Sequence, residues 1–327
     1  MRIIVINKTF NKALLITAVI ICAAGCTGKK SSEIPDSKSA AQNAANSPAC
    51  SREIIDRSGK TIAINGPINR IESSAPSNTE IIIDLGLADK LVAIDKYSAG
   101  TAGLPGGLVQ IDFSYPDAEA ILSLKPDIII ASGHNTTVSG DDPFRILREM
   151  GIPVTYITMS KSINGIYNDI AFVADLLGVK DSGNALIASM KAQVNEINRK
   201  TAQAKVKRSV YFEISALPEI FTFGRDNYIN DMITVINGRN IFENDNWVLS
   251  PSIEAIIERN PDVIITSVDY LEDPISEIKS RDGFNHISAV INNRVCRIDT
   301  NSVVRPSARI ILALNQMARS VYPELYE

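Results

Sequence analysis

The sequence predicts an α/β fold of two similar lobes joined through a long helix, and three observations carry that prediction. Strand and helix signals alternate from Arg52 onward. The alternation lapses between Ser162 and Gln203, where only helical periodicity is found. A fourteen-residue passage is also written twice, as EAILSLKPDIIIAS from Glu119 to Ser132 and as EAIIERNPDVIITS from Glu254 to Ser267, with eight identities, no gap and a separation of 135 residues. Alternation of this kind argues for helices layered on a largely parallel sheet, and the repeat gives each lobe one copy of the same unit.

Taken in order, the chain opens with a basic stretch, MRIIVINKTFNK, and a twelve-residue apolar run from Ala13 to Ala24. A bilayer takes about 20 apolar residues to span, so the run reads as the core of a signal peptide over residues 1–25. Its ending, Ala23-Ala24-Gly25-Cys26, resembles a lipobox, in which small residues precede a cysteine that is lipidated; leucine is the usual residue where Ala23 stands. The alternative is an ordinary cleavage site beside a cysteine, and the favoured expectation is a lipid anchor on Cys26. Residues 26–50 are rich in Ser, Ala, Asn and Lys and lack aromatics, so they read as a flexible tether. An exported protein held to a membrane, facing the periplasm or the cell exterior, is the expected location. Of the remaining cysteines, Cys50 and Cys296 are free to pair in an oxidising compartment or to stay as thiols, and spacing does not decide between these.

Residues 51–178 form the expected first lobe. Arg52 to Ile64 alternates around Ser58-Gly59 as a hairpin. The SGKT string in that turn is not a phosphate loop, because position 54 is Ile where that motif needs Gly. Next come a strand, a polar loop, an apolar helix ending at Gly86, a strand through Ile94, the helix EAILSLKP, the strand DIIIAS, the helix DPFRILREMG and the strand IPVTYIT. Two helices follow, broken near Asp181-Ser182-Gly183, and the second, long and mostly polar, is the expected linking helix over residues 179–206. Residues 207–327 repeat the alternation: SVYFEIS as strand, NYINDMITVING and IEAIIERNP as helices, DVIITS and VCRID as strands, and a closing helix from Pro306 to about Val321.

The repeated glutamates sit where helices start. Pro116 and Pro251 each stand three residues before the glutamate, with Ser114 and Ser250 upstream as cap candidates. A first-turn carboxylate gains ~0.3–1 kcal/mol from the helix dipole. One such glutamate is ordinary. Two at equivalent places would crown both lobes, where a partner with matching basic residues could grip them.

Composition excludes several functions. The 327 residues are 45% hydrophobic and 21% charged, values of a globular protein with room for two domains. The net charge is −4, and without residues 1–25 there remain 30 basic against 37 acidic residues, or −7. An acidic chain with no basic stripe is not expected to bind nucleic acid. Two histidines in all argue against a site for a bare zinc or manganese ion. The chain has no G-x-S-x-G and no HExxH, and the acid pairs Asp141-Asp142 and Asp226 with Asp231 lack a matching base, so an enzyme such as an exported hydrolase is not expected. A non-transport surface receptor or adhesin is the other alternative.

Five motifs, in order, resemble one family: NRIESSAPSNTEIIIDLGLADKLVAIDKYS (from Asn69), DAEAILSLKPDIIIAS, FTFGRDNYINDMITVINGRNIF (from Phe221), SIEAIIERNPDVIIT and RPSARIILAL (from Arg305). The chain resembles the substrate-binding proteins of ABC importers for iron chelates and cobalamin, from about Arg52 to Glu327. The resemblance implies two Rossmann-like lobes joined by a single long helix, in the manner of a class III periplasmic binding protein, with the ligand in the cleft between them. It implies that Glu119 and Glu254 form salt bridges to the membrane permease, whose ATPase subunit drives transport. Monomeric action, no cofactor and no resident metal are expected.

Ligands of open α/β sheets lie at strand ends. The cleft candidates are therefore Pro76, Ser77, Asn78, Tyr97, Phe113, Tyr115 and His134 in the first lobe. In the second they are Phe223, Arg225, Trp247 and Arg305. Tyr97, Tyr115 and Trp247 would offer flat faces to a macrocycle or catecholate, and Arg225 and Arg305 would offset the charge of a ferric siderophore or haem propionate. His134 is either an axial haem ligand or a polar loop residue. The expected cargo is a metal chelate of iron-siderophore type, with cobalamin or haem as alternatives: the loop Pro76-Ser77-Asn78 and Tyr97 resemble corrinoid binders, whereas Arg305 resembles the siderophore and haem branch.

Overall fold

The computed structural model describes residues 51–133 and 142–327. The hairpin opens the described chain, as β1 (Ser51–Ile55) and β2 (Thr61–Asn65), antiparallel with Ile55 opposite Thr61. Asp56 organises its turn: Oδ1 accepts from the backbone N–H groups of Ser58 and Lys60 at 2.8 and 2.9 Å, as a turn aspartate does.

The first lobe contains β3 (Ile71–Ser73), α1 (Pro76–Asp84), β4 (Leu91–Asp95), β5 (Val109–Ile111), α2 (Ala118–Ser123), β6 (Ile128–Ser132), α3 (Arg145–Glu149) and β7 (Val154–Ile157). Its sheet is wholly parallel in the order β5-β4-β3-β6-β7. Two helices follow, α4 (Ile163–Leu176) and α5 (Lys180–Thr201). The second lobe runs β8 (Ser209–Glu213), β9 (Thr222–Phe223), α6 (Tyr228–Val235), β10 (Arg239–Asn240), β11 (Val248–Leu249), α7 (Ile253–Arg259), β12 (Val263–Thr266), α8 (Pro274–Ser280), α9 (Ser288–Ile291), β13 (Val295–Arg297), α10 (Thr300–Val304) and α11 (Ile310–Val321). Its main sheet is also parallel, in the order β10-β8-β12-β13, and β9 and β11 form a small antiparallel ribbon. The strands β6, β8 and β12 are buried along their whole length, as strands covered on both faces must be.

The repeat is a structural unit. Glu119 and Glu254 each take the second helical position, with Asp117 and Ser252 as the caps, their side chains accepting from Ala120 N at 3.0 Å and Ala255 N at 3.2 Å. Ser114 and Ser250 are therefore not the caps, and Pro116 and Pro251 lie just outside the helices. Ile121 and Ile256 are both fully buried. Lys125 and Asn260 both adopt left-handed φ, +47° and +40°, which turns the chain out of each helix. Asp127 Oδ2 then accepts from the Asn69 and Arg70 N–H groups, and Asp262 Oδ2 from Ser209 N and Oγ, so each aspartate clasps the start of the neighbouring strand.

The sequence places the break between the two linking helices at Asp181 to Gly183, and the structure places it at Leu177 to Val179. Gly178, at φ +75°, supplies the left-handed turn. Gly183 instead lies within α5 and serves close packing: a Cβ there would stand 2.4 Å from Ala174 Cβ of α4. The closing helix also starts later than the sequence suggests. Pro306 holds Arg305 extended (φ −107°, ψ 101°), so α10 ends there and α11 begins at Ile310. One apolar cluster runs from Ile62 through α4 and α5 to Val321, so both lobes share a core through the linking helices.

Candidate functional site

Both parallel sheets present their carboxyl ends to one cavity of about 560 Å³. In the first lobe the strand order reverses between β3 and β6, the switch point where open α/β sheets bind ligands. Ser74 to Asn78 after β3, Tyr97 after β4, Phe113 after β5, Ser132 at the end of β6 and Ile157 to Ser160 after β7 line the cavity there. From the second lobe come Ile214 after β8, Phe223, Trp247 and Val248 on the small ribbon, Asn227 to Ile229 at the start of α6, and Asn301 and Val304 to Pro306.

Local chemistry positions the aromatics. Asp95 Oδ1 accepts from Tyr97 N at 2.8 Å, so the residue ending β4 fixes the turn that projects Tyr97. The Tyr97 ring, 56% exposed, stands 5.9 Å from Phe113 at a tilt of 54°, forming one aromatic wall. Opposite, Trp247 has φ +50°, a costly conformation for so bulky a residue. It is held by Gly224 N donating to Trp247 O at 2.7 Å and by Trp247 N donating to Arg225 O at 3.0 Å. Only glycine fits at 224, because a Cβ would lie 2.1 Å from Asp245 O. Tyr228, buried at the start of α6, donates to Val303 O at 2.7 Å, and burial pushes its hydroxyl well above the usual tyrosine range.

The cavity's charges are all compensated among its described lining residues. The two charged ones are Arg305 and Asp169. Asp169 accepts from Arg57 Nε at 2.6 Å and from Ser160 Oγ; burial pushes its carboxyl up, and these two partners offset part of that rise. Arg305 donates from Nη1 to Glu80 Oε1 and from Nη2 to Tyr97 O, both at 3.0 Å. Behind Ser74, Glu72 is fully buried, and burial pushes its pKa up to about 8, so it holds a proton at neutral pH and adds no charge.

Of the residues named from sequence, Pro76, Ser77, Asn78, Tyr97, Phe113, Phe223, Trp247 and Arg305 line this cavity. Tyr115 does not: it is 83% exposed on the loop before α2. Arg225 does not either, since its Nε donates to Asn246 Oδ1 at 2.6 Å on the exposed side of the ribbon. His134 lies outside the described residues, as do Cys26 and Cys50; Cys296 is half-buried on β13. Sequence reasoning missed Thr158 to Ser160, Asp169 and Asn227 to Ile229. The β7 loop carried a signal, being the end of a parallel strand, but Asp169 enters from within a helix. Among the described residues, no three His, Cys, Asp or Glu side chains converge on a metal-sized point.

Glu119 and Glu254 are both exposed. Each begins a helix that leads into a sheet strand of its own lobe, β6 or β12, and such helices run antiparallel to the strands they cover. The helix start therefore lies on the side of the strand's carboxyl end, the side of the cavity. The Glu254 backbone N–H, and after it the Ser252 hydroxyl, hold the Glu254 carboxyl below the usual range.

A family model described as "Periplasmic binding protein" matches residues 73–301. An uncharacterized ABC transporter substrate-binding lipoprotein of Bacillus subtilis, YvrC, is 31% identical over 321 residues, 96% of this chain and 97% of that one. A vitamin B12-binding protein of Vibrio campbellii is 28% identical over 259 residues, 77% and 89% of the two chains. The crystal structure of a possible iron-binding (periplasmic solute-binding) protein from Staphylococcus epidermidis superposes with a TM-score of 0.71 at 30% identity, covering 78% of this chain and 99% of that one.

Proposed function

Because the chain belongs to the periplasmic binding protein family and is the substrate-binding component of an ABC transporter, we propose that its cargo is a metal chelate with flat apolar faces and little net charge, best matched by a corrinoid. The observation that carries this reading is the cavity's chemistry: aromatic walls at Tyr97, Phe113, Phe223 and Trp247, with every charge among the described lining residues compensated. A polyanionic ferric catecholate buried there would meet no uncompensated cation, and burying a charge without a partner is costly. A corrinoid instead offers a broad ring and neutral side groups, which suits a mostly apolar cavity with a few placed polar groups. The relative from Vibrio campbellii named for vitamin B12 supports the same reading. An uncharged iron chelate is the second reading, favoured by the likeness to the possible iron-binding protein of Staphylococcus epidermidis.

Titration of the purified full-length protein in detergent, following Trp247 and tyrosine fluorescence, tests the proposal. Cyanocobalamin is expected to quench with a Kd below about 1 μM, and haemin and ferric tris-catecholate to bind at least about tenfold more weakly. Tight binding of the ferric catecholate and none of cyanocobalamin would overturn it.

In this reading the protein acts as a monomer held to the membrane by a lipid on Cys26, delivering cargo to a permease and its ATPase. Among the described residues no helix is long and apolar enough to cross a membrane. The Cys26→Ser variant is expected to move from the membrane pellet to the soluble fraction on cell fractionation; retention in the pellet would rule out Cys26 as the anchor.

A further inference from the structure

We propose that Glu80, a residue outside the cavity lining, sets the charge selectivity of the cleft by neutralising Arg305 from behind. The inference rests on the reading of the cavity as a site for cargo of little net charge. Arg305 is the cation among the described lining residues, and by itself it would draw an anionic chelate into the cleft. Glu80 is 1% exposed in the middle of α1, a position where an unpaired carboxylate would be costly. Three side chains of one loop of the other lobe converge on it. Arg305 Nη1 lies 3.0 Å from Oε1, Ser307 Oγ donates to Oε2 at 2.6 Å, and Arg309 Nε stands 3.8 Å from Oε1.

The backbone makes this convergence possible. Pro306 keeps residues 305–309 out of both flanking helices. Arg305, Ser307 and Arg309 can therefore turn toward α1. Arg305 is pinned a second time by Tyr97 O, also of the first lobe. Two further carboxyls face this cluster. Asp84 lies one turn further along α1; burial, then the Glu80 charge, push its carboxyl up, and Arg309 offsets part of the rise. Asp95, buried at the end of β4, is pushed up by burial, and the hydrogen bonds from Ser98 and Tyr97, then the Arg305 charge, offset part of that rise. The cluster thus balances its charges internally, and the cavity sees Arg305 as a hydrogen-bonding surface with its field cancelled. Replacing Glu80 by glutamine keeps the shape and a polar partner for Ser307 but releases the charge of Arg305 to the cleft.

Wild type, Glu80→Gln and the double variant Glu80→Gln with Arg305→Gln would be titrated, as full-length protein in detergent, with ferric tris-catecholate (a trianion) and with cyanocobalamin. Glu80→Gln is expected to bind the trianion at least about tenfold more tightly than wild type, with cyanocobalamin changed by less than about threefold. The double variant is expected to return to wild-type trianion binding, because cavity charge is again balanced. It also keeps the test open if Glu80→Gln fails to fold, since no charge is left unpaired between these two residues. No gain for the trianion in Glu80→Gln would overturn the proposal. So would trianion binding by the double variant about tenfold weaker than wild type, for that would mean Arg305 is available while Glu80 is in place. Failure of wild type to bind cyanocobalamin would sink the corrinoid reading alone, because the trianion series does not depend on it.

Discussion

Cells carrying Glu119→Ala together with Glu254→Ala are expected to take up cargo at background rate, while the purified variant binds it within about twofold of wild type, because charges on the rim of a docking surface act on association and not on a distant cavity. The repeat itself supports a docking role. Its isoleucines are core, its aspartates clasp neighbouring strands, and its left-handed residues end helices. The glutamates are shared yet exposed, so packing does not account for their presence in both copies. Their place at helix starts on the cavity side of each lobe would let one partner straddle the cleft and sense the two lobes together. Each single variant is expected to retain part of the transport, since one handle remains. Full uptake by the double variant, measured with labelled cargo in cells lacking the wild-type protein, would remove the docking assignment.

Arg281→Met is expected to destabilise the folded body by about 3–5 kcal/mol, because it strands a buried carboxylate. Glu213, at the end of β8, is fully buried and receives a bidentate pair from Arg281, Nη1 to Oε2 at 2.6 Å and Nη2 to Oε1 at 3.0 Å. Arg281 is itself 2% exposed and also holds Glu277, at 2.6 Å. Burial pushes the Glu213 carboxyl up and Arg281 offsets part of that rise, so loss of the guanidinium leaves an acid that must take a proton or break open the core. Thermal unfolding should fall by roughly 10 °C. Replacing both partners, Glu213→Gln with Arg281→Met, should recover most of the loss, since neither charge then remains buried alone. A single variant that loses less than about 1 kcal/mol would show that water or a rearranged neighbour already serves Glu213.

Most of the lobe architecture was legible because it rests on short-range chemistry. Buried parallel strands read as apolar runs such as DIIIAS and DVIITS, and proline punctuation brackets them. The strand ends were legible for the same reason, and they place Pro76, Ser77, Asn78, Tyr97 and Phe113 near the cleft. Helix edges are less so: Asp181, Ser182 and Gly183 look like a turn, whereas the chain breaks at Gly178. Gly183 is there to let α4 and α5 touch, a need that exists only once both helices are packed. Tyr115 and Arg225 have the residue type and strand-end position of cleft residues, yet each is exposed and outside the cavity lining.

The α/β class, the repeated unit and the two helix-start glutamates follow from the sequence alone, since periodicity and helix-start signals act within a few residues. The electrostatic character of the cavity follows from the folded arrangement. Arg305 read from sequence is a free cation suited to an anionic cargo. Its partner, Glu80, lies 225 positions away in the other lobe, and a charge is cancelled by whatever stands within a few ångströms of it, whichever part of the chain supplies it.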